Sequence, residues 1–128
     1  MKRLILDLDG TLTIESDLPY AEKLVNPEVL AACKEYKSKG WEVVIATSRN
    51  MRTYEGNVGK ITANTVPIII DWLRKNDVPF DELYVGKPWC GTEGFYVDDR
   101  AIRPSEFSSM SRDEIEQLLI TERAGQPL

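Results

Sequence analysis

Two aspartates, Asp7 and Asp9, close the short apolar run Leu4-Ile5-Leu6, and Gly10-Thr11 follows at once. In an extended chain, residues i and i+2 point to the same side, so this spacing aims both carboxylates together. Such a pair repels unless a cation or a shared proton intervenes. A hard cation such as Mg2+ prefers oxygen ligands of this kind. Gly10 permits the sharp turn that a strand end needs here. Taken alone, Asp-Gly is also an ordinary turn signal, and the pair would then only punctuate a strand.

Further polar residues stand at the ends of other apolar runs. Thr47 ends Glu42-Val43-Val44-Ile45-Ala46, Lys87 follows Glu82-Leu83-Tyr84-Val85-Gly86, and Asp98-Asp99 ends Gly94-Phe95-Tyr96-Val97. Each has a plain explanation by itself. Thr47 is a strand-end hydroxyl able to bond to backbone, Lys87 an exposed turn lysine, and Asp98-Asp99 a loop start. Together they gather acids, a hydroxyl and a cation at one sheet edge. The chain has no histidine, so Ser-His and Cys-His nucleophiles are excluded. Acid–base work falls to carboxylates, Lys, Tyr or metal-bound water.

The elements that must position these residues alternate. Residues 3–8 read as a first strand, buried on both faces. Residues 12–25 are mixed and contain Pro19, which suits a loop or small flap. Asn26-Pro27-Glu28 combines an N-cap, a proline at the first helical position and an acid. It opens a helix over about 27–39, with Gly40 as its C-cap. Residues 42–47 form a second buried strand. Residues 50–63, with Gly56 and Gly59, read as a loop, and a second helix starts near Asn64 or Thr65 and ends near Asn76. Residues 82–85 are a third strand and 94–99 a fourth. Ser111-Arg112-Asp113-Glu114 is a capping box. It opens a last helix over about 112–122, with Ile115, Leu118 and Leu119 inward, and residues 125–128 are expected to fray. Strands alternating with helices specify an α/β fold, a three-layer Rossmann-like parallel sheet with right-handed crossovers. Ligands bind such sheets at the carboxyl ends of the strands, where every residue singled out above is expected.

The bulk numbers are consistent with this. The 128 residues suit one domain, 1–128, with a core over about 3–122. A net charge of −5 argues against nucleic-acid binding. No run approaches the length of a membrane span, and too few apolar residues follow Met1-Lys2-Arg3 for a secretory signal. Cys33 and Cys90 lack C-x-x-C spacing and read as free thiols. A cytoplasmic location follows from that reading.

The chain resembles the haloacid dehalogenase (HAD) superfamily of phosphotransferases, at four motifs in order: Asp7-Leu8-Asp9-Gly10-Thr11, Thr47, Lys87 and Asp98-Asp99. The resemblance covers about residues 3–107. Ser48 stands where many relatives carry glycine. The flanks Asn50-Met51-Arg52-Thr53-Tyr54-Glu55-Gly56-Asn57, Gly86-Lys87-Pro88-Trp89-Cys90-Gly91 and residues 95–104 look like a subgroup linked to capsule polysaccharide biosynthesis. The resemblance implies a phosphomonoester hydrolase in which Asp7 is the nucleophile and forms an aspartyl-phosphate. Asp9 then serves as acid and base. Mg2+ is held by the Asp7 carboxylate, the Asp9 backbone carbonyl and Asp98. Thr47 and Lys87 hold the phosphoryl oxygens, Asp99 orients Lys87 or a metal-bound water, and Thr11 ties down the turn.

Relatives often carry a cap domain after the first motif or between the second and third. Both intervals are too short here, so a capless enzyme is expected. An open site must exclude water by other means: either the substrate is large, a phosphorylated small molecule or glycan, or a second copy in a homo-oligomer covers the cleft. Ser48, Arg49 and Arg52, with Tyr54 and Lys60, are the candidates for substrate contact, since residues 49–60 form a basic patch in an acidic protein. Trp89 is a candidate to stack on a sugar or to anchor the core. Two rival readings are a receiver-like phosphoacceptor and a vestigial phosphate-binding scaffold. Receivers place their acid pair well before the acceptor aspartate, an order this chain does not follow.

Overall fold

The computed structural model describes residues 1–125; residues 126–128, part of the end expected to fray, lie outside it. The chain divides into two compact units, Met1–Trp89 and Cys90–Leu128.

The first unit is built on three parallel strands in the order β1 (Arg3–Leu6), β2 (Glu42–Ala46) and β3 (Glu82–Tyr84). Leu6 pairs with Ile45, and Ala46 pairs with Tyr84, so the three strands finish at one rim. In the central strand β2, Val43, Val44 and Ile45 are consecutively buried. Adjacent strand residues face opposite ways, so both faces of β2 are covered. β1, expected to be buried on both faces, is instead an edge among the described strands, and its Ile5 is exposed because no strand pairs beyond it.

Helix α1 (Pro27–Ser38) begins as its sequence signals, because the Asn26 side chain accepts hydrogen bonds from the backbone N–H groups of Glu28 and Val29. It buries Val29, Ala32, Cys33 and Tyr36, an i, i+3, i+4, i+7 stripe. Burial pushes the Cys33 thiol up to about 12, and both cysteines are free.

Residues 50–63 are only partly a loop. Helix α2 (Val58–Asn64) occupies the second half, with the Asn57 side chain capping it through Lys60 N–H. Gly59 lies inside its first turn, which is why composition alone suggested a loop; the cap and the buried Ile61 outweigh that weak penalty. Helix α3 (Val66–Lys75) follows after Thr65. Pro67 separates the two helices, since it has no N–H to continue the ladder. α3 buries Ile69, Trp72 and Leu73, and the Trp72 indole N–H donates to the Lys23 carbonyl at 2.8 Å. That bond ties residues 12–25 to the helix. The same segment carries a bridge between Thr13 and Val25 and a short 3-10 turn, Tyr20–Glu22. Neither this interval nor the one between Thr47 and Lys87 holds a cap domain.

In the second unit, helix α4 (Pro104–Ser109) was not foreseen, and α5 (Arg112–Ala124) starts at the expected capping box. Ile115 is buried in α5, whereas Leu118 is exposed. The fourth strand expected over 94–99 is not formed. Phe95 and Val97 are exposed and the segment carries no ladder. Its aromatic and β-branched residues favour a strand, but that preference acts only through cross-strand neighbours.

Two positions hold the strand ends in place. Asp81, just before β3, accepts the Val43 N–H at 2.8 Å and the Lys37 ammonium at 2.7 Å. The Lys37 bond first, then the Val43 N–H, hold its carboxyl below the usual range. A carboxyl depressed in the folded state stabilises the protein above its unfolded pKa and loses that contribution as pH falls. Asp81→Ala therefore lowers the urea midpoint at pH 7, and its gap to the wild type narrows once pH drops below about 4. Gly86, after β3, has φ +85, and a Cβ there would lie 3.0 Å from Val58 Cγ2. Gly86→Ala costs about 1–2 kcal/mol from the left-handed backbone alone; an unchanged urea midpoint would contradict this placement.

Candidate active site

The loop after β1 is pinned by apolar residues and presents polar ones. Leu8 and Leu12 are fully buried, and the Leu8 carbonyl accepts N–H groups from Thr11, Leu12 and Thr13. Gly10 takes φ +79, and its N–H donates to Thr13 Oγ1. Leu8 is thus the anchor between Asp7 and Asp9, and both acids stay partly accessible.

Asp7 follows the last residue of β1. The Lys87 ammonium lies 3.6 Å from its Oδ1, and the side chains are 36% and 28% exposed. Thr11 Oγ1 donates to Asp7 Oδ2 across a long 3.5 Å. Burial pushes the Asp7 carboxyl above its ordinary value. The Lys87 charge and the Leu8 N–H pull it back, and the Asp9 charge adds to the rise. A half-buried carboxylate of this kind gains from a cation beside it.

Thr47 follows β2 and is buried. Its N–H donates to the Tyr84 carbonyl and its carbonyl accepts the Lys87 N–H at 3.2 Å, so one backbone ladder sets both residues. Thr47 Oγ1 accepts the Arg49 N–H at 3.1 Å, which leaves the hydroxyl proton for an acceptor.

Arg49 sits deeper than a substrate contact on an open loop would. Its side chain is 1% exposed. Nε and Nη2 donate to the two Asp9 oxygens at 3.0 and 2.8 Å, and Cζ lies 4.0 Å from the centre of the Tyr20 ring. Tyr20 was not singled out in the sequence, where nothing in its spacing marks it. Among the other candidates, Ser48 is half-buried and Arg52 exposed, with the Arg52 guanidinium 5.9 Å from the Trp89 ring centre. Lys60 is exposed on α2 and Tyr54 is half-buried.

The structure therefore links Asp7, Asp9, Thr47 and Lys87 on one rim. Asp98 and Asp99 belong to the second unit. There Asp98 Oδ1 accepts the Arg100 N–H at 2.8 Å, and Asp99 lies 3.9 Å from Arg123 Nε. Among the described residues, no three or more His, Cys, Asp or Glu side chains form a metal-ligand group. The donors present on the rim still suit a hard cation: the Asp7 carboxylate and backbone carbonyl oxygen at Asp9, whose own carboxylate is taken by Arg49.

A family model described as haloacid dehalogenase-like hydrolase matches residues 4–70. A crystal structure of a structural-genomics target from Vibrio cholerae is similar at 59% identity and TM-score 0.91, over 95% of this chain and 99% of that one. A structure of D,D-heptose 1,7-bisphosphate phosphatase from B. bronchiseptica, complexed with magnesium and phosphate, is similar at 25% identity and TM-score 0.51. That match spans 74% of this chain and 54% of the other. No curated protein matches the chain. With more than half its length matched by the family model and its parallel sheet carrying the motif residues at one rim, the chain belongs to the haloacid dehalogenase-like hydrolases.

Proposed function

We propose that this chain is a Mg2+-dependent phosphomonoester hydrolase that works through an aspartyl-phosphate on Asp7 and acts on a sugar phosphate. The observation that carries the reading is the half-buried Asp7 carboxylate at the end of β1, with the Lys87 ammonium 3.6 Å away. Half-buried charges of opposite sign at a strand end suit a nucleophile and an anion holder.

Asp7 attacks phosphorus, and the bond from phosphorus to the leaving oxygen breaks with its electron pair on that oxygen. Asp9 supplies the proton the leaving oxygen needs. A water then attacks the phosphoryl group and gives a proton to Asp9. The bond from phosphorus to Asp7 breaks, which restores the carboxylate and frees phosphate. Thr47 and Lys87 hold the phosphoryl oxygens as charge develops. Asp7, the Asp9 backbone carbonyl and Asp98 would hold Mg2+, which would supply screening of the phosphate charge. Asp99 and Thr11 act as supports of this set. Ser48 and Arg52 are the proposed contacts to the rest of the substrate.

The sugar-phosphate class rests on the similarity to the heptose bisphosphate phosphatase. The resemblance of the flanking sequences to a capsule polysaccharide subgroup supports a substrate from that pathway. Among the described residues no helix is long and apolar enough to cross a membrane.

Asp7→Asn should lower hydrolysis of p-nitrophenyl phosphate and of hexose and heptose phosphates by about three orders of magnitude. A chelator should abolish wild-type turnover and added Mg2+ restore it. Full activity of the variant, or turnover indifferent to the chelator, would overturn the assignment.

A further inference from the structure

The Arg49 guanidinium is the most enclosed charge in the first unit that the reaction above leaves without a task. Its side chain is 1% exposed. Two of its nitrogens grip both oxygens of Asp9 at 2.8 and 3.0 Å. Its planar face meets the Tyr20 ring, with Cζ 4.0 Å from the centroid. The third nitrogen, Nη1, is buried and has no acceptor among the described residues. A buried donor without an acceptor is costly, so a guanidinium retained here serves something other than stability. Arg suits that service because its planar fork fixes a carboxylate in orientation as well as in place.

The support beneath Arg49 is just as specific. Tyr20 belongs to the 3-10 turn Tyr20–Glu22. That turn is tied to α3 by the bond from the Trp72 indole to Lys23. From the other side, the Arg49 backbone N–H is held by Thr47 Oγ1 at 3.1 Å. The guanidinium is therefore located by two elements and delivers that location to Asp9.

We propose that Tyr20 and Arg49 form a clamp that orients the Asp9 carboxylate for its proton transfers, with Arg49 a positioning residue and Tyr20 its platform. This rests on the proposed aspartyl-phosphate reaction. The clamp leaves Asp9 competent. An ionised carboxylate has about four lone-pair sites, and the fork uses two of them. Each Asp9 oxygen thus keeps a site for the proton it passes. In a protein without a cap domain, the flap that follows the first motif takes on this positioning.

The test compares leaving groups. Attack on an alkyl phosphate needs a proton at the leaving oxygen, whereas p-nitrophenolate departs with little help. kcat/KM reports only steps up to the first irreversible bond cleavage, so the later water step does not enter. Arg49→Met should lower kcat/KM for a hexose phosphate by about 100-fold, within the range for general acid catalysis, and for p-nitrophenyl phosphate by much less. Added guanidinium should restore part of the lost alkyl activity. Tyr20→Leu should show the same ordering with a smaller loss. Because Tyr20 is 39% exposed, this second variant decides the matter if circular dichroism finds Arg49→Met unfolded. Equal losses on both substrates with a raised KM would mean that Arg49 contacts the phosphoryl group, and the clamp would be overturned. Asp7→Asn run alongside separates the two layers: full activity there sinks the aspartyl-phosphate reaction, whereas an inactive Asp7→Asn with equal losses in the other variants sinks only the clamp.

Discussion

Parallel pairing of the three strands is the constraint on which the site depends. A parallel ladder aligns carboxyl ends, so residues far apart in sequence emerge on the same side of the sheet. Leu6 pairs with Ile45 and Ala46 with Tyr84, which leaves Asp7 and Thr47 directly past their strands and Lys87 three residues past the end of β3. The ladder continues beyond the strands through Thr47 N–H to Tyr84 and Lys87 N–H to the Thr47 carbonyl. These rim residues are thus set by backbone hydrogen bonds, which are stiffer than side-chain packing on a loop.

The same geometry forces charges together under partial burial, and the structure answers in pairs. Asp7 is raised by burial and lowered again by Lys87. Asp9 is matched by the Arg49 fork. These pairs are not surface decoration. Removing either partner of an enclosed pair leaves an uncompensated charge, which costs more than the pair itself contributes. The two acids that point together in sequence are therefore separated in environment: one faces an ammonium across 3.6 Å, and the other is locked in a bidentate grip.

Much of this was legible in the sequence because local chemistry and tertiary need agreed. The Asn26-Pro27 start, the Ser111 capping box and the apolar runs of β1 and β2 each specify one outcome, and each formed. The misses have physical causes. Gly59 read as a loop residue, yet Asn57 supplies a cap and Ile61 a buried anchor, so α2 forms around it. Residues 94–99 carry strand composition, but a strand exists only as part of a ladder, and none forms there. At the site, the strand-end positions of Asp7, Thr47 and Lys87 followed from counting residues. The depth of Arg49 did not, because burial of a charge is settled by a partner forty positions away and by an aromatic ring that no spacing announces.

The absence of a cap domain changes what the short flap has to do. In a site covered by a domain, water exclusion and carboxylate alignment can come from above. Here residues 12–25 are all that follows the first motif before α1. Asn26 N–H reaches Leu12 and Ile14 N–H reaches Leu24, which close the segment on itself, and Trp72 on α3 holds Lys23. A segment closed on itself and tied to a helix resists moving freely as a lid. A fixed flap suits a platform better than a gate, since a platform must present Tyr20 to Arg49 at one constant distance.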